Sequence, residues 1–401
     1  MDTMDTVHQT NHAIIVFTEE GKQRHSSSML QELLFCPVGS WIVQALSKLG
    51  IKRFFALCEE TEQAAVSVCF PDTVSVEYGN SPADLQIFLE QEDVDEVLAV
   101  TKPVLITSAA ASLLTTETPW HGGRPNGGIY RFAADTLKNY LDDGVEDIAS
   151  ALELASGETY IPADGALLWP VSTSLELYQA QQTGRQDIVL RHLENGVFFI
   201  DIDTVYIDPR VKIGAGSVIL PGTILKGKTV IGERCEIGPN SVINNCTIGD
   251  DTVVNASQCN DSIIGSNTKV GPFAYIRPNC KIGNDIKVGD FVEVKNSVLG
   301  DSTKISHLTY VGDSDIGAHV NLGCGTVTVN YDGTKKARTV VKDGAFVGCN
   351  ANLIAPVTIE EGAYVAAGST ITDSVPADSL AIARSRQENK LQWAKAKEEE
   401  Q

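Results

Sequence analysis

The chain has 401 residues, enough for two or three domains, and its 43% hydrophobic and 21% charged content is that of an ordinary soluble globular protein. A formal net charge of -21 disfavours nucleic acid as a partner, because phosphate neutralisation by Lys and Arg dominates such affinity. No stretch offers the roughly 20 apolar residues of a membrane span, and no basic region followed by an apolar run opens the chain, so no membrane partner and a cytoplasmic location are expected.

In chain order, short apolar runs first alternate with helical patterns. "AIIVF", "KRFFAL", "VSVEY" and "DEVLAV" read as strands, while "SWIVQALSKLG", "TEQAAVSV" and "ADLQIFLEQ" carry apolar residues at three- and four-residue spacing. That alternation predicts a mostly parallel sheet covered by helices over residues 1–195. A longer helix is predicted from about Ser174 to Asn195, stopped by Gly196. The loop after the first strand, "TEEGKQR", occupies the place of a phosphate-cradling turn but offers one glycine, Gly21, behind Glu19 and Glu20.

From residue 196 the period becomes six. Ile213, Ile219, Leu225, Ile231, Ile237 and Ile243 form one series; Ile264, Val270, Ile276, Ile282, Val288 and Val294 a second; Val341, Val347, Leu353, Ile359, Val365 and Ile371 a third. Neither a helix nor an alternating strand has that repeat. A triangular parallel β-helix does, with one short strand and one corner per six residues and the aliphatic side chain pointing inward. It is expected over residues 196–382, with single-residue slips near Ile248, Leu299 and Ile316 and a polar loop ejected at 330–339. Residues 383–401 read as a charged tail or short helix.

Nine cysteines, with no CxxC spacing, fit scattered reduced thiols better than a disulfide frame or a zinc site. Within the repeats, "GPFAYIRP", "GDFVEVKNS" and "SHLTYVGDSDIGAHVNLGCGTVTVNYDGTKK" concentrate Arg277, Lys295, His307, Tyr310, Asn321, Asn330 and Lys336 within a few coils. Singly, each is ordinary surface or stacking material. Together they offer cations for a phosphate, an imidazole for a proton and amides to orient a substrate.

The motifs "HLTYVGD", "NLGCGTVTVNYDG", "FVGCNANLIAPVTI", "AYVAAGST" and "SLAIARSRQ" resemble the bifunctional bacterial N-acetylglucosamine-1-phosphate uridyltransferase/glucosamine-1-phosphate acetyltransferase family, over about residues 196–390. The resemblance implies a left-handed parallel β-helix that forms a homotrimer. It implies acetyl transfer from acetyl-CoA to the amine of glucosamine 1-phosphate at subunit interfaces, a step in UDP-N-acetylglucosamine and cell-wall supply. By position it makes His307 the general base, with Glu293 supporting the imidazolium or the substrate and Asn330 placing the amine beside the thioester. Arg277, Lys295 and Lys336 fall on the sugar-phosphate cations, Tyr310 and Asn321 on substrate contacts, and Cys324, Cys349, Ala367 and Arg384 on acetyl-CoA contacts.

In the N-terminal half the resemblance is faint: an α/β nucleotidyltransferase-like, Rossmann-like domain whose fingerprint has degenerated. Glu19 stands near the family's first glycine and Gln23 near its arginine, with Lys22 and Arg24 as possible compensation. Thr101 and Lys102 stand where the family has its metal-binding Asp, and Thr173 near its second metal ligand, an Asn. Mg²⁺ binding and uridylyl transfer are therefore expected to be lost, while Asn126 in "NGGIYRF" suits either a retained sugar contact or a structural turn. Three rivals stay open at this stage: an enzyme keeping both activities, an acetyltransferase for another amino sugar, and a non-catalytic trimeric scaffold that binds a sugar nucleotide.

Overall fold

The computed structural model of the chain describes residues 12–18, 27–90, 94–108, 120–122, 128–143, 148–155, 160–161 and 168–399. Glu19, Glu20, Gly21, Lys22, Gln23, Arg24 and Asn126 lie outside them. The chain divides into two compact units. Residues 1–191 with 207–209 form the first, and residues 192–206 with 210–401 the second.

Among the described residues, the first unit is built on a seven-stranded sheet. Glu96–Val100 lies at its centre with His12–Val16 beside it, parallel to it and to Arg53–Leu57, and Ser75–Gly79 is at one edge. Ile129–Ala133 joins antiparallel to Glu96–Val100, so the sheet is mixed. The expected helices are present as Val38–Lys48, Gln63–Ser67 and Pro82–Glu90. One core cluster gathers Ile14, Phe55, Leu57, Leu85, Phe88, Val97 and Phe132 between the sheet and its helices, as alternating strands and amphipathic helices demand. The long helix runs Ser174–Glu194, and Gly196 ends it at φ 80°.

The second unit is a parallel β-helix with three faces of eleven, ten and nine short strands. Every aliphatic residue of the three six-residue series is buried in its interior, from Ile219 (0% exposed) to Ile213 (8%). The first face stacks Val288, Ile305, Leu322, Val347 and Val365 in register, and the second stacks Ile276, Val294 and Val311. Corners are crossed by residues in the left-handed region, mostly Asn, Asp and Gly, including Asn245, Asn267, Asp285 and Asn296. The slip at Ile248 coincides with such a corner, at Asn245.

Inner corner positions carry hydroxyls. Ser217, Thr252, Thr268 and Thr303 are buried, and their Oγ atoms donate to the carbonyls of Gly232, Gly265, Gly283 and Gly317 on the next coil, at 2.8–3.0 Å. The same oxygens accept backbone N–H groups, as Ser217 does from Cys235 at 3.0 Å. Backbone polar groups that a tight corner would orphan are thereby satisfied. The tail ends in the short helix Trp393–Glu399.

Because Ile276 is fully buried between Cys259 and Val294, Ile276→Ala should lower the unfolding free energy by about 2–4 kcal/mol, measured by urea denaturation.

Candidate functional site

Stacking turns sequence offsets into columns. Two residues beyond each rung of the first face, the chain reaches its corner with the second face, and there Asp290, His307, Cys324, Cys349 and Ala367 follow one another coil by coil. The residue after each of the first four takes a positive φ: Phe291, Leu308, Gly325 and Asn350. His307 and the expected coenzyme residues Cys324, Cys349 and Ala367 therefore share one corner column. Arg384, on the last coil, has its side chain 3.7 Å from where a Cβ on Gly368 would stand.

Asp290 is the register partner of His307, and its carboxylate holds the His307 Nδ1. An ionised carboxylate only accepts, so this contact keeps the proton on Nδ1 and leaves the Nε2 lone pair free. The hydrogen bond from His307 holds the Asp290 carboxyl below its ordinary range. Glu293, expected to support either the imidazolium or the substrate, is committed elsewhere: it accepts from Arg277 Nη1 at 2.8 Å. The carboxylate in contact with His307 is Asp290, which sequence reasoning missed. Its one legible signal was a spacing of 17 residues from His307, one coil back.

The second face carries the cations. Tyr275, Glu293 and Tyr310 stack in register, and the Arg277 guanidinium lies 5.9 Å from the Tyr275 ring centroid. Lys295 stands beside Lys336 of the ejected loop; that contact, followed by burial, holds the Lys295 ammonium below its ordinary value. At the far corner of this face, Asp313 accepts from Asn296 Nδ2 at 2.5 Å and from the Asn330 amide. Burial pushes the Asp313 carboxyl up, but the two amides and the charges of Lys295 and Lys336 outweigh it and hold it low. Asp313 was missed too, again one coil of 17 residues from its partner. Arg338 ties down the end of the loop through Asp315, at 2.5 and 2.9 Å.

Within one chain, then, His307 and the cation group do not share a corner. His307 stands where the second face begins; Asn330 and Asp313 stand where it ends. Asn321 sits on the first face, between Lys304 and Phe346.

In the first unit, Thr101 follows the strand Glu96–Val100, and its N–H donates to the Gly128 carbonyl at 2.7 Å. Lys102 packs its stem against Gly128. Thr173 caps the long helix: its Oγ1 accepts from the Glu176 N–H at 3.2 Å, while the Glu176 carboxylate accepts from the Ser172 and Thr173 N–H groups at 3.2 and 3.0 Å. A cavity of about 200 Å³ opens at the carboxyl ends of two parallel strands, lined by Cys58, Tyr78, Gly79, Asn80 and Asp84. Asp84 is already engaged with the Ser81 hydroxyl at 2.7 Å.

Comparison with known proteins bears on both units. The family model described as bacterial transferase hexapeptide (six repeats) matches residues 261–296 and 338–373, and the GMPPB C-terminal domain model matches 202–277. The chain is 54% identical over 220 residues to the bifunctional protein GlmU of Geobacillus sp. (strain WCH70), covering 55% of this chain and 48% of that protein. It is 45% identical over 285 residues to GlmU of Alkaliphilus metalliredigens (strain QYMF), covering 68% and 62%. Over those spans the chain is similar to GlmU proteins. It spans about half to three-fifths of the length of these GlmU relatives. Among solved structures, an Arabidopsis UDP-N-acetylglucosamine acyltransferase overlaps 46% of this chain and 65% of its own, at 19% identity and a TM-score of 0.30; the β-helix described above rests on its own ladders.

The low-held Asp290 carboxyl makes folding stability depend on pH. A carboxyl held low in the folded state adds stability above its unfolded value, about 3.9, and loses it as pH falls through the folded value. His307→Ala removes the cause. The gap in urea midpoint between the parent and His307→Ala should therefore narrow as the pH drops below about 4.

Proposed function

We propose that the β-helix transfers acetyl from acetyl-CoA to the amine of glucosamine 1-phosphate. The observation that carries this is the His307–Asp290 contact, set in the same corner column as Cys324, Cys349 and Ala367. His307 Nε2 takes the proton from the attacking amine, while Asp290 holds the ring and balances the imidazolium that forms. The amine nitrogen bonds to the thioester carbon, and collapse of the tetrahedral intermediate releases the coenzyme thiol. Arg277, Lys295 and Lys336 receive the sugar phosphate. The Asn330 amide, fixed by Asp313, orients the acceptor, and orientation alone is worth several kcal/mol of barrier. Arg384, exposed on the last coil, is suited to a coenzyme phosphate.

The site is proposed to form between copies in a homotrimer. Supporting this, His307 and the Asn330 group occupy opposite ends of one face, so a single chain does not close a pocket around both. At the His307 corner, Phe273 and Phe291 stack at 5.5 Å with Leu308 as the next corner residue, all three more than half exposed, which is apolar surface a second copy would cover.

Uridylyl transfer is proposed to be lost from the first unit. The residues present do not fit Mg²⁺: Lys102 brings a positive charge to the position of one ligand, and the Thr173 hydroxyl is spent on a helix cap.

The first test is coenzyme A release from acetyl-CoA with glucosamine 1-phosphate and no nucleotide, where acceptor-dependent release is expected. His307→Ala should leave the assembly intact and lower kcat by about 10²–10⁴-fold. Arg277→Ala should chiefly raise the acceptor KM. Undiminished turnover in His307→Ala, or a monomer in sedimentation at working concentration, would sink the reading. With UTP, Mg²⁺ and N-acetylglucosamine 1-phosphate, no pyrophosphate release is expected.

A further inference from the structure

Seven of the nine cysteines are buried. Burial pushes the Cys58, Cys69 and Cys246 thiols up to about 11 and holds Cys235, Cys259 and Cys280 above their ordinary value, so these groups stay protonated and shielded. Cys324 and Cys349 differ: the first is half-buried and the second exposed. They are also neighbours. Leu322 pairs with Val347 in the first face, and each cysteine follows its rung by two residues, through Gly323 and Gly348. The N–H of Asn350 donates to the Cys324 carbonyl at 2.8 Å, which holds the two corners together.

Adjacent strands of a ladder lie about 4.8 Å apart. That spacing falls inside the roughly 4.4–6.8 Å between Cα atoms that a disulfide spans. The same left-handed step follows each cysteine, at Gly325 (φ 76°) and Asn350 (φ 54°), so the two turns have matching shapes. Beyond Cys349 the column continues with only the methyl of Ala367. The ejected loop at 330–339 separates the two cysteines in sequence and conceals that they stand one coil apart.

We propose that Cys324 and Cys349 form a paired-thiol modification site, closed to an intrachain disulfide by low-molecular-weight disulfides and reopened by thiols. The exposed Cys349 thiolate attacks the S–S bond of the oxidant, releasing one small thiol and forming a mixed disulfide. The Cys324 thiolate then attacks the Cys349 sulfur and expels the second small thiol. One protein dithiol and one small disulfide become one protein disulfide and two small thiols, with protons and electrons in balance. Where acetyl-CoA lies along this corner, closure obstructs it; that consequence rests on the proposed function, whereas the thiol chemistry stands without it.

The test incubates the full chain, natively folded, with oxidised glutathione, quenches exchange with acid, then denatures the protein, alkylates its free thiols and maps them by mass spectrometry. The expected result is two fewer free thiols than the nine of the reduced chain, with a single linked peptide joining Cys324 to Cys349, reversed by dithiothreitol. Cys349→Ser should abolish that linked peptide and leave eight free thiols or a glutathione adduct at Cys324. If both thiols are alkylated independently after oxidation, or if the bridge joins two chains, the proposal is overturned. Because the readout is a covalent link, its failure is distinct from any failure of acetyl transfer.

Discussion

The structure of the second unit depends on one constraint: each coil must present to the next a ladder whose every corner carbonyl and N–H has a partner. The flat faces meet it with parallel backbone hydrogen bonds. The corners cannot, and there Ser217, Thr252, Thr268 and Thr303 reach from one coil to the next. A buried corner carbonyl without such a partner would cost about 1–3 kcal/mol, and every coil has three corners. Once the pins and rungs hold, the register cannot slip without exposing the aliphatic stack, and residues at equal offsets from their rungs are forced into columns.

Those columns are what make chemistry available. Asp290 meets His307 because both lie two residues past a rung, and Asp313 meets Asn330 at the far corner for the same reason. The two corners differ in charge. At the first, a carboxylate is spent on holding an imidazole. At the second, the carboxylate is buried among amides, and Lys295 and Lys336 face each other with Asp313 as partial compensation. In a chain of net charge -21, Lys295 and Lys336 stand side by side, with Asp313 near both.

In the first unit, side chains are spent on the fold itself. Thr173 and Glu176 form a reciprocal cap on the long helix, Lys102 lies over Gly128, and Asp84 is engaged with Ser81. The Thr173–Glu176 cap, and the Asn80 and Ser81 N–H groups that donate to the Asp84 carboxylate, satisfy backbone groups at element ends. The sheet order and its core are those of an α/β layer whether or not a ligand binds there.

The six-residue period, the alternation before it, the helix stop at Gly196 and the ejected loop were all legible in the sequence, because each is a local pattern of burial or backbone preference. The cluster of His307, Asn330, Arg277, Lys295 and Lys336 was legible as a set, since a solenoid keeps neighbours in sequence within a few coils. What the sequence did not reveal is who touches whom. Glu293, three residues from Asp290, was the nearer guess for the histidine's carboxylate, and the register gave that contact to Asp290 and bound Glu293 to Arg277. The adjacency of Cys324 and Cys349 was hidden in the same way by the loop between them. By itself the sequence determined which side chains point into the β-helix, for the hydrophobic period decides that; only the tertiary structure decided which outward side chains meet, because coil length, corner shape and inserted loops set the partner one coil away, and no local pattern encodes their sum.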